Sequence, residues 1–212
     1  MRAVGLPIRD ERLFTPNSVA AKAMVERGYG RVLVLGTQGV IDALEELGVP
    51  CVGPDDEASH AADAVYVAWH PDCTMTHIHL ACERVLDGAA FLTASDIPYF
   101  AARDGHAFGY SCAINGAVAR ITGREPEPTG KPSALALAMG AEQLGLAGEQ
   151  VGVVGDDAKA EMEMARAGGA IGIAVTSGST SREQWAAQPP ERQPDVVIEN
   201  VHELLELGWL SA

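Results

Sequence analysis

The sequence predicts an α/β protein built on parallel strands, and three observations predict it. Short apolar runs alternate with helical stretches along most of the 212 residues. Glycine follows nearly every helical stretch, as a left-handed stop does. Aromatic residues make up only 5% while glycine alone supplies 23 positions, a composition suited to helices lying close on a sheet.

The elements follow in order. Residues 31–36 (RVLVLG) read as a buried strand, and 39–47 as a helix closed by Gly48. Residues 64–69 (AVYVAW) form the next strand, followed by a helix over 75–86 that ends at Gly88. Residues 90–93 (AFLT) give a third strand, and 111–122 a helix stopped by Gly123. Pro126, Pro128 and Pro132 then interrupt the pattern and mark a boundary. Beyond it come a helix over 133–144, a strand over 151–154, a helix over 159–167 stopped by Gly168 and Gly169, and a strand over 171–175. A polar Ser/Gly loop at 177–181, a strand at 195–198 and a helix at 201–207 complete the chain.

Composition excludes several functions. Fifteen basic against 29 acidic residues give a net charge of −14, which argues against nucleic acid as a partner, since a phosphate-backbone binder needs clustered Lys and Arg. No apolar run approaches the roughly 20 residues of a membrane span, and no charged-then-apolar leader opens the chain. A cytoplasmic protein without a membrane partner is the expectation. Cys51, Cys73, Cys82 and Cys112 include no C-x-x-C pair and read as reduced thiols. His70, His77 and His79 lie near Cys73 and Cys82, but residues of this kind more often dot a helix face and its leading loop than bind zinc. A dinucleotide site fits poorly, because Gly36-Thr-Gln-Gly39 lacks the G-x-G-x-x-G spacing.

Two segments carry chemical information. In Thr129-Gly130-Lys131-Pro132-Ser133 an ammonium precedes a helix start, where unpaired N–H groups and the positive dipole end attract an anion. The bland alternative is an ordinary loop before a helix. In Val151-Gly-Val-Val-Gly155-Asp156-Asp157 carboxylates follow the C-terminal end of a strand, where open α/β sheets carry their sites and where hard oxygens suit Mg²⁺. The alternative there is a plain helix cap.

Taken together, G-K-P-S, a spacer of about 20 residues, an apolar strand ending in G-D-D, a helix, Gly-Gly, a strand and a Ser-Gly loop resemble the haloacid dehalogenase (HAD) superfamily. The likeness is greatest to its C2-capped p-nitrophenyl phosphatase and sugar-phosphate or phosphoglycolate phosphatase branch. Phe14-Thr15-Pro16-Asn17-Ser18 and the Ala-rich helix after it look like the last core segment before the cap. The resemblance implies a Rossmann-like HAD core over 1–28 and 126–212, truncated at its start, with an inserted α/β C2-type cap over 29–125. It implies a Mg²⁺-dependent hydrolase acting on a small phosphorylated metabolite. Lys131 matches the lysine that steadies the nucleophile and the phosphoryl charge. Asp156 matches the acidic Mg²⁺ ligand, Glu161 stands where the family usually has a second Asp, and Asp157 substitutes or assists. Asp96, in the loop Thr93-Ala94-Ser95-Asp96, matches a cap acid that screens substrates, with Ala94-Ser95 in place of the family's frequent Asn-Pro. Arg103, His106 and Tyr110 are weaker substrate-contact candidates, read first as surface or structural residues.

The family's D-x-D-G strand, whose first Asp attacks phosphorus, has no match. Asp55-Asp56 and Asp10-Glu11 do not follow an apolar strand, and residues 1–7 look like the middle of the helix–turn after the family's second motif. The expectation is a phosphatase scaffold short of about 50 leading residues and inactive as written. The alternative is a non-catalytic binding or dimerisation homologue that retains the cap. Loss of a central strand beside 151–154 would leave an open edge that favours pairing with another chain, as in a homodimer.

Overall fold

The computed structural model describes residues 13–102 and 105–208, with side chains at 101, 102 and 106 outside the description. The chain runs α1 (Pro16–Arg27), β1 (Val32–Leu35), α2 (Gln38–Glu45), β2 (Cys51–Val52), β3 (Ala64–Val67), α3 (Met75–Leu86) and β4 (Ala90–Thr93). It continues through β5 (Tyr99–Ala102), β6 (Gly105–Phe108), α4 (Tyr110–Thr122), β7 (Glu127–Pro128), α5 (Ala134–Leu144) and β8 (Gly152–Gly155). The last elements are α6 (Glu163–Ala167), β9 (Ile171–Val175), α7 (Arg182–Ala186) and β10 (Val196–Ile198). Residues 1–7, Asp10, Glu11 and Arg103 lie outside the described residues.

Internal contacts divide the chain into two compact units, Met1–Ser95 with Tyr110–Gly130, and Asp96–Gly109 with Lys131–Ala212. The first unit is a parallel five-stranded sheet in the order β2-β1-β3-β4-β7. β1 and β3 run in register from Val32↔Ala64 to Leu35↔Val67, and every residue of both is buried. Period-two alternation sends their side chains to opposite faces. Leu33, Leu35, Val65 and Val67 pack with Leu80, Ala81 and Val85 of α3 and Ile114 and Val118 of α4. Val32, Val34, Ala64 and Tyr66 pack with Ala20, Ala21 and Met24 of α1 and Leu44 of α2. A parallel sheet covered on both faces explains why these strands read as continuous apolar runs.

This grouping differs from the expected division into 1–28 with 126–212 and 29–125. Helix α1 joins the first unit because its Ala20, Ala21 and Met24 face lies on the β1–β3 layer. Its end is further tied there by the Arg27 guanidinium, which donates to both Glu127 carboxylate oxygens at 2.5 and 2.7 Å. Residues 127–128 pair with β4 (Leu92↔Glu127, Thr93↔Pro128), so the boundary falls after Gly130. Residues 96–109 group with the second unit and carry an antiparallel β5–β6 hairpin, an element that the sequence pattern does not predict.

The second unit is a parallel sheet in the order β10-β9-β8. Leu137 of α5 packs with Val153 and Ala165, and Met162 and Ala174 pack with the fully buried Trp185 of α7. Among the described residues the outer edge of β8 has no partner strand. Gly152 and Val154 of β8, Ile171 and Ile173 of β9, and Leu204 and Leu207 line a mostly apolar groove of roughly 270 Å³. The helix expected over 159–167 opens as a π-helical turn, Ala158–Met162, before α6. The one expected over 201–207 is a 3₁₀ helix, Val201–Leu205.

Candidate active site

The candidate site gathers where β8 runs out, at Gly155, Asp156 and Asp157. Gly155 is required there: a Cβ at this position would stand 2.1 Å from Glu161 Cγ. The missing side chain lets Glu161 fold back over the strand end, where it is only 6% exposed. A buried carboxylate needs compensation. Glu161 Oε1 is ion-paired with Lys131 Nζ, and Oε2 accepts the Asp157 backbone N–H at 3.1 Å. Lys131 itself stays more than half exposed, so its ammonium has room for a second anion.

Asp156 is held by the loop after β9. The Ser179 backbone N–H donates to its Oδ2 at 2.8 Å, while the Ser179 and Thr180 hydroxyls donate to its carbonyl at 2.9 and 2.6 Å. Gly178 makes the approach possible, since a Cβ there would lie 2.2 Å from Oδ2. The Ser179 N–H bond, helped by attraction to Lys131, holds the Asp156 carboxyl below the usual carboxylate range. Asp157 is engaged differently. Its Oδ1 accepts from the Lys159 and Ala160 N–H groups at 2.8 and 2.9 Å and caps the π-helical turn. The Lys159 ammonium in turn donates to the Asp96 carbonyl at 3.5 Å, which brings the Asp96 segment to the same strand end.

Lys131, Asp156, Asp157, Glu161 and Asp96 therefore meet in one unit, although 65 residues separate Asp96 from Glu161. The remaining candidates lie elsewhere. His106 has no described side chain, and Tyr110 belongs to the first unit, where its ring meets Trp69 edge-on at 6.2 Å. Asp56 caps the turn Glu57–Ala61 through the Ala58 N–H, and Asp55 contacts His77. Thr93 and Ser95 of the cap-loop candidate are fixed within the first unit: the Asn115 side-chain amide donates to Thr93 Oγ1 at 2.9 Å and to the Ser95 carbonyl at 3.2 Å. Sequence reasoning missed Ser179, Thr180 and Lys159. The loop at 177–181 was legible as polar and glycine-bearing, yet nothing in its order says that it closes on Asp156.

Four carboxylates (Asp96, Asp156, Asp157 and Glu161) against two ammonium groups (Lys131 and Lys159) leave a surplus of two negative charges, and all the donors are hard oxygens. That set fits a divalent cation such as Mg²⁺, which takes one or two protein carboxylates and keeps several waters. Asp156 fits best as a direct ligand, because Asp157 is committed to its cap and Glu161 to Lys131.

Comparison with known proteins agrees with this geometry. Residues 128–204, which include Lys131 and the whole β8–β9 strand end, match the family model described as HAD-hydrolase-like. The structure is similar to p-nitrophenyl phosphatase from Archaeoglobus fulgidus, with a TM-score of 0.84 and 26% identity over 97% of this chain and 78% of that one. The family-model match and this likeness support a relationship to the haloacid dehalogenase family. The chain's α/β architecture is that of the HAD Rossmann-like core with a cap domain. Among curated proteins, the chain is 25% identical to phosphoglycolate phosphatase 1A, chloroplastic, of Arabidopsis thaliana, over 95% of its own length. It is 24% identical to sugar-phosphatase AraL of Bacillus subtilis over 85%. The chain spans about three fifths of the length of these relatives, 61% and 63%. A glycerol phosphate phosphatase from Mycobacterium tuberculosis in complex with magnesium shares the fold, with a TM-score of 0.80 at 22% identity.

Proposed function

We propose that this chain is a HAD-type, Mg²⁺-dependent phosphomonoester-hydrolase scaffold for a small phosphorylated metabolite. The observation that carries the proposal is the convergence of Lys131, Asp156 and Glu161 at the end of β8. In this reading the first unit supplies the C2-type cap. The Lys131 ammonium binds a phosphoryl oxygen on the side that Glu161 leaves exposed. Glu161 is a positioning residue, since it orients Lys131 and is itself screened from solvent. Asp156, with Asp157 and Glu161 beside it, would hold Mg²⁺, which when bound supplies neutralisation of the phosphoryl oxygens. Asp96 contributes to substrate screening. Relatives named for phosphoglycolate and sugar phosphates favour a small anionic phosphomonoester as the substrate class. Four free cysteines support a reducing, cytoplasmic setting.

The proposed nucleophile is the first Asp of a D-x-D-G strand, a motif that the 212 residues do not contain. The open edge of β8 is the position that such a strand would fill. The chain as written is expected to be inactive, because charge stabilisation without a covalent nucleophile leaves only residual acceleration. With Mg²⁺ and p-nitrophenyl phosphate, the 212 residues should show no appreciable turnover, and a version extended by a D-x-D-G strand should show it. In the extended form Lys131→Ala should lower kcat by roughly 100-fold or more. Robust turnover by the short chain, abolished by Asp156→Asn, would contradict the reading.

A further inference from the structure

Outside the phosphate site, the first unit gathers three side chains with metal-ligating atoms. His70 and Cys73 sit on the loop before α3, and His77 on its first turn. Their ligand atoms all lie within 4.8 Å of one another, and all three residues are half-buried. His70 Nε2 and His77 Nδ1 are 3.3 Å apart. Two nitrogens bound tetrahedrally to one metal at ~2.0–2.1 Å stand about 3.3 Å apart, so the pair already has the required separation.

Two further contacts fix the tautomer of His77. The Thr74 backbone N–H can only donate, and it points at Nδ1 from 3.3 Å, so Nδ1 carries a lone pair. The proton is then on Nε2, which faces Asp55 Oδ1 at 3.4 Å. A ring nitrogen presenting a lone pair, backed by a carboxylate on the opposite N–H, is the usual arrangement of a metal-ligating histidine. His70 is left to donate its Nε2 proton to His77. Cys73 Sγ makes one long contact, 3.8 Å to the Thr74 carbonyl, and is only lightly held.

We propose that His70, Cys73 and His77 form a site for a borderline transition-metal ion such as Zn²⁺, with Asp55 as the outer carboxylate behind His77. The ion takes the place of the hydrogen bond between the two imidazoles, and His70 stays neutral by carrying its single ring proton on Nδ1 instead of Nε2. Cys73 binds as thiolate and releases its proton to solvent. The metal also displaces the Thr74 N–H from Nδ1, while the reciprocal bond from His77 N–H to Thr74 Oγ1 at 3.2 Å still caps α3. Three protein ligands leave the fourth position to water. The nitrogen–sulfur donor set separates this site from the all-oxygen set around Asp156, which favours Mg²⁺.

Co²⁺ added to the full chain, followed by absorption, tests the assignment, because a thiolate ligand gives a charge-transfer band that oxygen and nitrogen ligands do not. The expected result is a band saturating at one equivalent, displaced by Zn²⁺, absent in Cys73→Ser and unchanged in Cys112→Ser. His70→Gln, a loop substitution that leaves α3 intact, should weaken Zn²⁺ binding by ~10-fold or more in calorimetry. His79→Ala should not, since that ring is exposed and turned to Glu83 at 3.4 Å. No thiolate band with folded wild-type protein, or a band that survives Cys73→Ser, would overturn the proposal.

Discussion

The two units are both parallel α/β layers, yet they are finished differently. In the first, β1 and β3 are wholly buried, with helices on both faces. In the second, β8 alternates between buried and open, Val154 is 37% exposed, and its outer edge pairs with no described strand. The sequences of the strands reflect this. β1 reads VLVL, whereas β8 reads GVVG, with Gly155 making room for Glu161. The first unit spends its strands on the core; the second gives up core volume to seat charged groups at a strand end.

The sharpest way to break this comparison is to remove the largest anchor of the second unit. Trp185 is 1% exposed against Met162 and Ala174, so Trp185→Ala should destabilise that unit by about 3–5 kcal/mol. Amide exchange should show β8 and β9 losing protection while β1 and β3 keep theirs; simultaneous loss in both units would mean that they fold as one. In the unmodified chain, amides of Gly152–Gly155 should exchange faster than those of Val32–Leu35, because the open edge permits local opening. Equal protection would mean that the edge is covered.

A smaller effect is expected inside the first unit. Tyr66 donates to Asn17 Oδ1 at 3.0 Å, so Tyr66→Phe should cost about 0.5–1.5 kcal/mol in denaturant titration. The smallest concerns Arg27 and Glu127. The guanidinium, through its hydrogen bonds, holds the Glu127 carboxyl below its ordinary 4.5. A depressed acid stabilises the fold above its unfolded pKa and loses that contribution as pH falls through the lower folded value. The pair is partly exposed, so its worth is about 0.5–1 kcal/mol and should shrink in high salt. Urea midpoints of Glu127→Gln and wild type should converge below pH 4.5.

Strands β3, β4 and β9 and helix α3 were legible at close to their observed bounds, because buried parallel strands and glycine-stopped helices write themselves locally. Lys131 and Asp156 were legible as types in a spacing, and Glu161 was singled out only through the family resemblance. The Asp157 cap is local and was legible as the alternative for that segment; that Glu161 holds Lys131 and that Ser179 clasps Asp156 was not, because both depend on chain folding between distant segments. The β5–β6 hairpin escaped because YFAA and GHAF carry little alternation. His70, Cys73 and His77 were visible as neighbours in sequence, but their convergence was not, because the loop before α3 has no periodicity to read.

The central claim is that the end of β8 is a Mg²⁺ and phosphate site, and a Mg²⁺ titration followed through the amide signals of Asp156 and Ser179 tests it most directly. With one direct carboxylate the affinity should be weak, on the order of millimolar. Both signals should shift saturably, inorganic phosphate should then move Lys131, and Asp156→Asn should abolish the Mg²⁺ response. Signals that stay still at tens of millimolar Mg²⁺, or that shift equally in Asp156→Asn, would contradict the account.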